Sequence, residues 1–151
     1  MTREKKYKLF TERGYTYNPE TGDIYNRYGK ISNTTHSNGY VQIGTAINKK
    51  IVKLYGHHFA WYCVYGNCDI EQIDHINGIR DDNRICNLRN VTCQQNNWNQ
   101  KKAKGYSYHK KANKWLAYIG LNYKLIHLGS FNTEADARNA YLAAKEKYHI
   151  I

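Results

Sequence analysis

The sequence predicts an α+β protein with two parts. Turn residues separate short alternating segments through the first fifty residues, which is typical of small antiparallel strands. Between residues 73 and 100 the pattern becomes a strand, a loop, a second strand and a helix. After residue 105, three strand-like segments precede one amphipathic helix. We therefore expect short antiparallel strands leading into a strand–loop–strand–helix core, followed by a small three-stranded antiparallel sheet with a helix.

The first half of the chain is predicted to consist mostly of strands and turns. Residues 16–30 contain Asn-Pro and Thr-Gly-Asp turn signals, and residues 38–44 alternate their side chains as a strand does. Residues 51–66 begin as a strand. The spacing of His57 and Ala60 within that segment then predicts a short buried helix.

The strand–loop–strand–helix segment carries a helix start signal. Ile73 ends a short strand, and residues 87–92 are predicted to form its partner. Thr92 is followed three residues later by Gln95, which makes a capping box. A helix is therefore expected directly after Thr92, continuing to about the basic residues that follow it.

The last third of the chain is predicted to be a separate module. Lys-Ala-Asn and Asn-Tyr turns separate its three strands, and Thr133 with Asp136 forms a cap pair for the final helix. The strands are predicted at residues 106–111, 114–122 and 124–131. We therefore divide the chain into a first domain at 1–100, a basic linker at 101–104 and a second domain at 105–151.

The formal net charge of +11 predicts a polyanionic partner, most simply nucleic acid. The charge is also unevenly placed, because residues 83–133 contain no Asp or Glu, whereas an ordinary soluble surface mixes both signs. The basic residues of that span are Arg84, Arg89, Lys101, Lys102, Lys104, Lys110, Lys111, Lys114 and Lys124. We expect these side chains to contact the partner.

Membrane and export signals are not found in this sequence. The longest apolar and aromatic run, residues 59–65, is far shorter than the ~20 residues of a membrane span. The charged start lacks the apolar core of a signal peptide. We therefore expect a cytoplasmic protein with no membrane partner and no small-molecule cofactor, whose cysteines are reduced.

The chemistry is predicted to centre on Asp74, His75 and Asn96. A strand–loop–strand–helix arrangement can bring these three side chains to one point. A carboxylate and an amide oxygen suit a hard divalent cation such as Mg²⁺, and a neutral imidazole beside it can take a proton from water. This set of groups predicts phosphodiester hydrolysis, with Asp74 and Asn96 as metal ligands and His75 as the general base.

The sequence from Ile73 to Thr92, together with Asn-Asn-Trp-Asn at 96–99, resembles the HNH homing endonucleases, which are ββα-metal nucleases common in phages. The similarity extends over about residues 14–100. It implies an HNH nuclease fold, catalysis by Asp74, His75 and Asn96, and one Mg²⁺ or Mn²⁺ ion. A phage-encoded protein of this kind would act in the host-cell cytoplasm.

The same resemblance implies supporting roles for other residues. Asn87 takes the middle position of the motif and is expected to brace the loop, with Asn83 as another brace. Asn99 is expected to be a phosphate or structural contact. His57 takes the histidine place of the family's upstream His-Arg-Leu-Ala-Trp element, where His58 replaces the usual arginine.

Residues 103–149 resemble the plant ethylene-response (apetala-two) DNA-binding domain, most strongly at Leu-Gly-Ser-Phe-Asn-Thr-Glu-Ala-Asp. The resemblance implies a three-stranded sheet that binds the major groove of double-stranded DNA. Ser107, Tyr118 and Gly120 fall near positions that often carry charged base-reading side chains in that family. Contacts with phosphates are therefore better predicted than a target sequence.

Alternatives remain open at this point. A DNA-binding regulator that retains a non-catalytic HNH scaffold is the main one, and an RNA-binding protein is a more distant one. Asp81 and Asp82 are interpreted as loop caps rather than ligands. One of His57 and His58 is expected in the core of the helix, and Trp115 is expected in the core of the second module.

The cysteines do not have the spacing of a structural zinc site. Four and six residues separate the members of the two nearest pairs, whereas zinc knuckles have two. We therefore predict four buried thiols. They are Cys63, Cys68, Cys86 and Cys93.

Overall fold

The computed structural model describes residues 1–67, 69–98 and 104–149. The chain divides into two compact units, Met1–Asn90 and Val91–Ile151. The linker predicted at 101–104 lies mostly outside the described residues, so the predicted domain boundary stays a prediction. No helix in the described part of the chain is long and apolar enough to cross a membrane.

The first unit combines two α-helices with small sheets, as the predicted α+β class requires. The helices are α1 (Arg3–Glu12) and α2 (Gly56–Tyr65). The strands are β1 (Thr16–Tyr17), β2 (Ile24–Tyr25), β3 (Thr34–Thr35), β4 (Val41–Ile47), β5 (Lys50–Tyr55), β6 (Gln72–His75) and β7 (Leu88–Val91), the last of which ends at the boundary between the units. β1 pairs with β2, β3–β4–β5 form an antiparallel sheet, and β6 pairs with β7.

Helix α1 contradicts the expectation that the first fifty residues hold only strands and turns. Thr2 caps it, because its hydroxyl accepts from the Lys5 amide. Glu4 and Lys8 form an i,i+4 ion pair at 2.8 Å, which supports a helix locally. Burial contributes most to the stability of α1, since Tyr7 and Phe10, three positions apart on one face of the helix, are fully buried.

The core of the first unit holds α2 in place. Tyr7 and Phe10 pack with Ile43, Leu54 and Phe59, so that α1, the β4–β5 hairpin and α2 share one cluster. A second cluster joins the other side of α2 to the β6–β7 pair. Its members are Ala60, Ile70, Ile73 and Leu88. The start of α2 and the end of β6 are therefore fixed against the same core.

The second unit begins with α3 (Cys93–Trp98), which starts where the capping box predicted. The Thr92 amide donates to Gln95 Oε1 at 2.9 Å, and the Gln95 amide donates to Thr92 Oγ1 at 3.2 Å. The strands that follow are β8 (Tyr106–His109), β9 (Lys114–Leu121) and β10 (Lys124–Phe131), and the final helix is α4 (Glu134–Tyr148).

The three strands of the second unit form an antiparallel sheet, as predicted, and their order in it is β10–β9–β8. Asn122 and Tyr123 turn between β9 and β10 with positive φ angles of 49° and 59°. Thr133 caps α4 by accepting from the Asp136 amide, which confirms the predicted cap pair. Tyr141 packs on Ile119 of β9 and holds α4 on the sheet.

Two burial predictions are wrong. Trp115 is half-buried and does not lie in the core. Its ring lies against the rings of Tyr106 and Tyr108. Three of the four thiols are exposed. They are Cys63 on α2, Cys86 in the 3-10 turn at 85–87 and Cys93 at the start of α3. Cys68 lies outside the described residues.

Candidate functional site

Asp74 and His75 are the last two residues of β6, and both are buried. Asp74 is 8% exposed and His75 is 3% exposed. The amide after them, Ile76, donates to the Asn87 carbonyl at 2.9 Å, which holds the end of β6 against the residue that precedes β7. Backbone pairing and burial therefore fix both side chains before any ligand binds.

The His75 ring is oriented by Asn83. His75 Nε2 lies 3.2 Å from Asn83 Oδ1, and an amide oxygen only accepts, so Nε2 carries the proton. Burial lowers the pKa of His75, while the Asn83 hydrogen bond and the Asp74 charge partly oppose that shift. The ring is thus neutral at pH 7, with its lone pair on Nδ1.

Two neighbours determine the position of Asn83. Its main-chain carbonyl accepts a hydrogen bond from the Tyr17 hydroxyl at 2.7 Å. Gly56 at the start of α2 lets the amide approach, because a Cβ at that position would lie 2.9 Å from Asn83 Nδ2. Asn83 was predicted to brace the loop, and in the structure its side chain contacts His75.

Asn87 braces the loop between β6 and β7. Its Oδ1 accepts from the Asn77 amide at 3.0 Å, and its Nδ2 donates to the Asp82 carbonyl at 2.8 Å. Asp82 in turn accepts from Arg84 Nε at 2.8 Å and from Arg84 Nη2 at 2.6 Å. The Arg84 hydrogen bond lowers the pKa of Asp82 to about 2. Asp82 is therefore a loop cap, and Arg84, expected to bind DNA, is its partner here.

His57 lies in a cluster of rings next to His75. Its ring meets the His75 ring edge-on at 5.2 Å and stacks on Tyr55 at 5.5 Å. Burial, followed by the charges of the neighbouring His58 and His75, lowers the pKa of His57 to about 2. His57 is therefore a neutral core histidine, and its Nδ1 has no hydrogen-bond partner among the described residues.

Arg89 of β7 pairs with Asp74 across the two strands. Arg89 Nε and Nη2 both donate to Asp74 Oδ2, at 2.9 and 2.8 Å. Arg89 is also predicted to bind DNA, and that contact stays a prediction. In the structure its guanidinium lies on the carboxylate of the candidate site.

The donor set suits a hard cation that keeps its waters. No group of three or more His, Cys, Asp or Glu side chains in the described ranges forms a metal cluster. Asp74 is a buried carboxylate beside the neutral His75 ring. Mg²⁺ is commonly held by one or two carboxylates, waters and substrate phosphates, so this donor set fits such an ion and does not resemble a closed zinc site.

Asn96, the predicted third member of the site, lies in α3 of the second unit. Its main-chain N–H donates to the Thr92 carbonyl at 3.0 Å in the first turn of the helix. Its side chain is half-buried. That Asn96 completes the site with Asp74 stays a prediction. Asn99, Lys101 and Lys102 lie outside the described residues.

The remaining predicted DNA contacts lie in the second unit. Four of these lysines are exposed, and they are Lys104, Lys110, Lys111 and Lys124. Lys114 is half-buried, and its Nζ donates to Asn132 Oδ1 at 2.7 Å. Their contact with DNA stays a prediction.

The first unit has a basic groove that was not predicted from the sequence. It encloses about 380 Å³ between α1 and β5, and its cationic lining residues are Arg3, Lys6 and Lys53. Tyr55 and His58 also line it, so it adjoins the ring cluster around His57. The run Arg-Glu-Lys-Lys at residues 3–6 is the sequence signal of this groove, and it indicates a basic surface only once residues 3–12 are known to be a helix.

The geometry agrees with comparisons to known proteins. Residues 54–98 match the family model of the HNH endonucleases. The chain is also similar to the HNH homing endonuclease I-HmuI, in a structure that concerns DNA binding and cleavage. The identity is 23%, the match covers 88% of this chain and 80% of that chain, and the TM-score is 0.50, so it shows a shared fold. No curated protein matches the sequence. Residues 54–98 therefore form a domain of the HNH endonuclease family, which indicates an enzyme that cleaves DNA.

Proposed function

We propose that the protein is a metal-dependent endonuclease that hydrolyses phosphodiester bonds of double-stranded DNA at Asp74, His75 and Asn96. The observation that carries the proposal is the neutral, buried His75, whose tautomer is set by Asn83 within the segment that matches the HNH family. A buried imidazole with an oriented lone pair next to a carboxylate is what a general base for water requires.

His75 acts as the general base through Nδ1. Its Nε2 proton is committed to Asn83 Oδ1, so the nitrogen that can accept a proton from water is Nδ1. Because the folded protein lowers the pKa of His75, the ring is already deprotonated at neutral pH. Asn83 is a positioning residue in this scheme, since it acts on the base and not on the DNA.

Asp74 and Asn96 are proposed to hold one divalent ion, Mg²⁺ or Mn²⁺. HNH nucleases generally use a divalent metal ion, and Asp74 places a carboxylate next to the base. When bound, such an ion would stabilise the charge that develops on the phosphate and on the departing 3′ oxygen. Asn96 adds a neutral amide oxygen, which is a weaker ligand than a carboxylate.

Double-stranded DNA is proposed as the substrate because the charge is arranged for it. The net charge of +11 and the acid-free span at 83–133 both favour a polyanion. The structurally similar protein is a homing endonuclease that binds and cleaves DNA. The second unit has a three-stranded sheet and exposed lysines, and it is proposed to bind the DNA phosphates as an apetala-two-type module.

Plasmid cleavage tests the proposal. Supercoiled plasmid incubated with the protein and Mg²⁺ should be nicked or linearised, and chelator should stop the reaction. His75→Ala should reduce the cleavage rate about 100-fold or more while DNA affinity stays nearly unchanged. Asp74→Ala should abolish cleavage, and Asn96→Ala should impair it less.

The same gel separates an enzyme from a regulator that retains an HNH scaffold. If the wild-type protein binds DNA but cleaves it no faster than His75→Ala does, the protein is a DNA-binding regulator. If His75→Ala loses binding and cleavage equally, His75 is a structural residue and its proposed role as base is wrong.

A further inference from the structure

The ion pair between Arg89 and Asp74 is part of the candidate metal site. Both Arg89 hydrogen bonds end on one oxygen, Asp74 Oδ2, although a guanidinium and a carboxylate often pair through two oxygens. The pair is largely shielded, since the Asp74 side chain is 10% exposed and that of Arg89 is 26% exposed. Arg89 projects from β7, so it reaches Asp74 across the paired strands without any movement of the loop.

A buried carboxylate needs a positive partner, because an uncompensated charge in the protein interior is costly. Arg89 supplies such a charge in this structure. A divalent cation on the same carboxylate would supply it as well, and two cations a few ångströms apart repel each other. Arg89 and the ion therefore have opposing effects on each other at Asp74.

We propose that Arg89 is a positioning residue that supplies, at Asp74, the positive charge that the divalent ion would otherwise supply. It neutralises Asp74 while the ion is absent and competes with the ion for the carboxylate. Loading then requires the guanidinium to give up hydrogen bonds to Asp74 Oδ2. This inference rests on the proposed function, in which Asp74 is a metal ligand.

The loop provides a matched control. Arg84 donates to Asp82 through the same two nitrogen types, Nε at 2.8 Å and Nη2 at 2.6 Å. That pair lies in the loop between β6 and β7, and Asp82 also accepts from Asn77 Nδ2. Changing Arg84 therefore removes a like charge and a like ion pair from a carboxylate that is not proposed to bind metal.

The test measures metal binding without DNA and without catalysis. Mn²⁺ is titrated calorimetrically into the full-length wild-type protein and into Asp74→Asn, Arg89→Gln and Arg84→Gln. Arg89→Gln should bind Mn²⁺ at least about tenfold more tightly. The substitution removes a positive charge that repels the ion from a few ångströms away, and this repulsion is substantial even at an effective dielectric constant of about 20. Arg84→Gln should bind it as the wild type does.

The outcomes separate the two proposals. If Asp74→Asn binds Mn²⁺ as tightly as the wild type, the proposed metal site itself is wrong. If Asp74→Asn loses binding but Arg89→Gln binds no more tightly than the wild type, only the role of Arg89 is wrong. Arg89→Lys, which keeps the charge but not the two-nitrogen fork, should remain within a few-fold of the wild-type affinity.

A measurement on the wild-type protein keeps the inference testable if Arg89→Gln does not fold. The Nε–H resonance of Arg89 should shift on addition of Mg²⁺ and exchange faster with solvent, because it loses its acceptor. The Nε–H of Arg84 should not change. If the Arg89 resonance keeps its position and its protection at saturating Mg²⁺, Arg89 does not compete with the ion.

Discussion

The proton on His75 Nε2, at the end of β6, is directed at the side-chain oxygen of Asn83 in the following loop, 3.2 Å away. The two residues lie eight positions apart in the sequence, and both side chains are buried. This hydrogen bond determines which ring nitrogen can act on water. It makes Asn83 the residue on which the state of the base depends.

Removing the Asn83 amide should slow cleavage without weakening DNA binding. In Asn83→Ala the His75 ring loses its acceptor and with it the preference for one tautomer, so we expect the single-turnover rate to fall about 10-fold or more, yet less than for loss of the base itself. Rates and DNA affinities measured side by side check this. Asn90→Ala is a suitable control, because Asn90 donates to the Asp69 carbonyl outside the site. An unchanged rate in a folded Asn83→Ala protein would show that Asn83 does not orient the base.

The basic groove should contribute to DNA affinity through Lys6 and Lys53. Each phosphate neutralised on duplex DNA contributes about 0.9 to the slope of log affinity against log salt, so Lys6→Ala or Lys53→Ala should each flatten the slope by up to that amount. Lys8 is the matched control on the same helix, because it pairs with Glu4 at 2.8 Å. Binding isotherms at several salt concentrations measure the slope. Equal effects of Lys6→Ala and Lys8→Ala would exclude a specific role for the groove.

The lysines of the second unit should govern the remaining salt dependence. A triple variant with Gln at Lys110, Lys111 and Lys124 should have a flatter slope of log affinity against log salt, by about 0.9 for each of these lysines that contacts a phosphate. Cleavage at saturating protein should persist, since Asp74 and His75 are untouched. Lys145 and Lys147, in the last turn of α4, serve as a control set. An unchanged slope in the first variant would mean that the sheet module does not grip DNA.

Acid should destabilise the protein through His57, which is buried, and His58, which is half-buried. Burial and the nearby Arg3 charge lower the pKa of His58 to about 4, and burial lowers the pKa of His57 to about 2. Below the unfolded-state pKa of 6.5 the unfolded chain binds more protons than the folded one, so stability is full above that pH. It falls between about 6.5 and 4 through His58 and continues to fall to about 2 through His57.

Urea unfolding from pH 8 to pH 4 measures this effect. His58→Gln should flatten the decline, because it removes one of the groups that must charge on unfolding. His36→Gln is the control, since His36 is exposed. A decline of equal steepness in the wild type and in His58→Gln would show that His58 does not carry the pH dependence.

Short-range signals determined much of the architecture. The capping box of Thr92 and Gln95, the cap pair at Thr133 and the three strand segments after residue 105 all appear as predicted. These features depend on side chains within a few residues of one another, so the sequence shows them directly. The HNH-like spacing from Asp74 to Asn96 likewise identified the segment that matches the family.

Tertiary structure decided the partners of the site residues. Asn83 reaches His75 across eight residues because Tyr17 and Gly56 shape its position, and Arg89 reaches Asp74 across fifteen because β6 pairs with β7. Helix α1 was likewise unpredicted because its weak local signals succeed only when Tyr7 and Phe10 are buried against distant strands. Such contacts join residues that no local periodicity relates, and only the packed core brings them together.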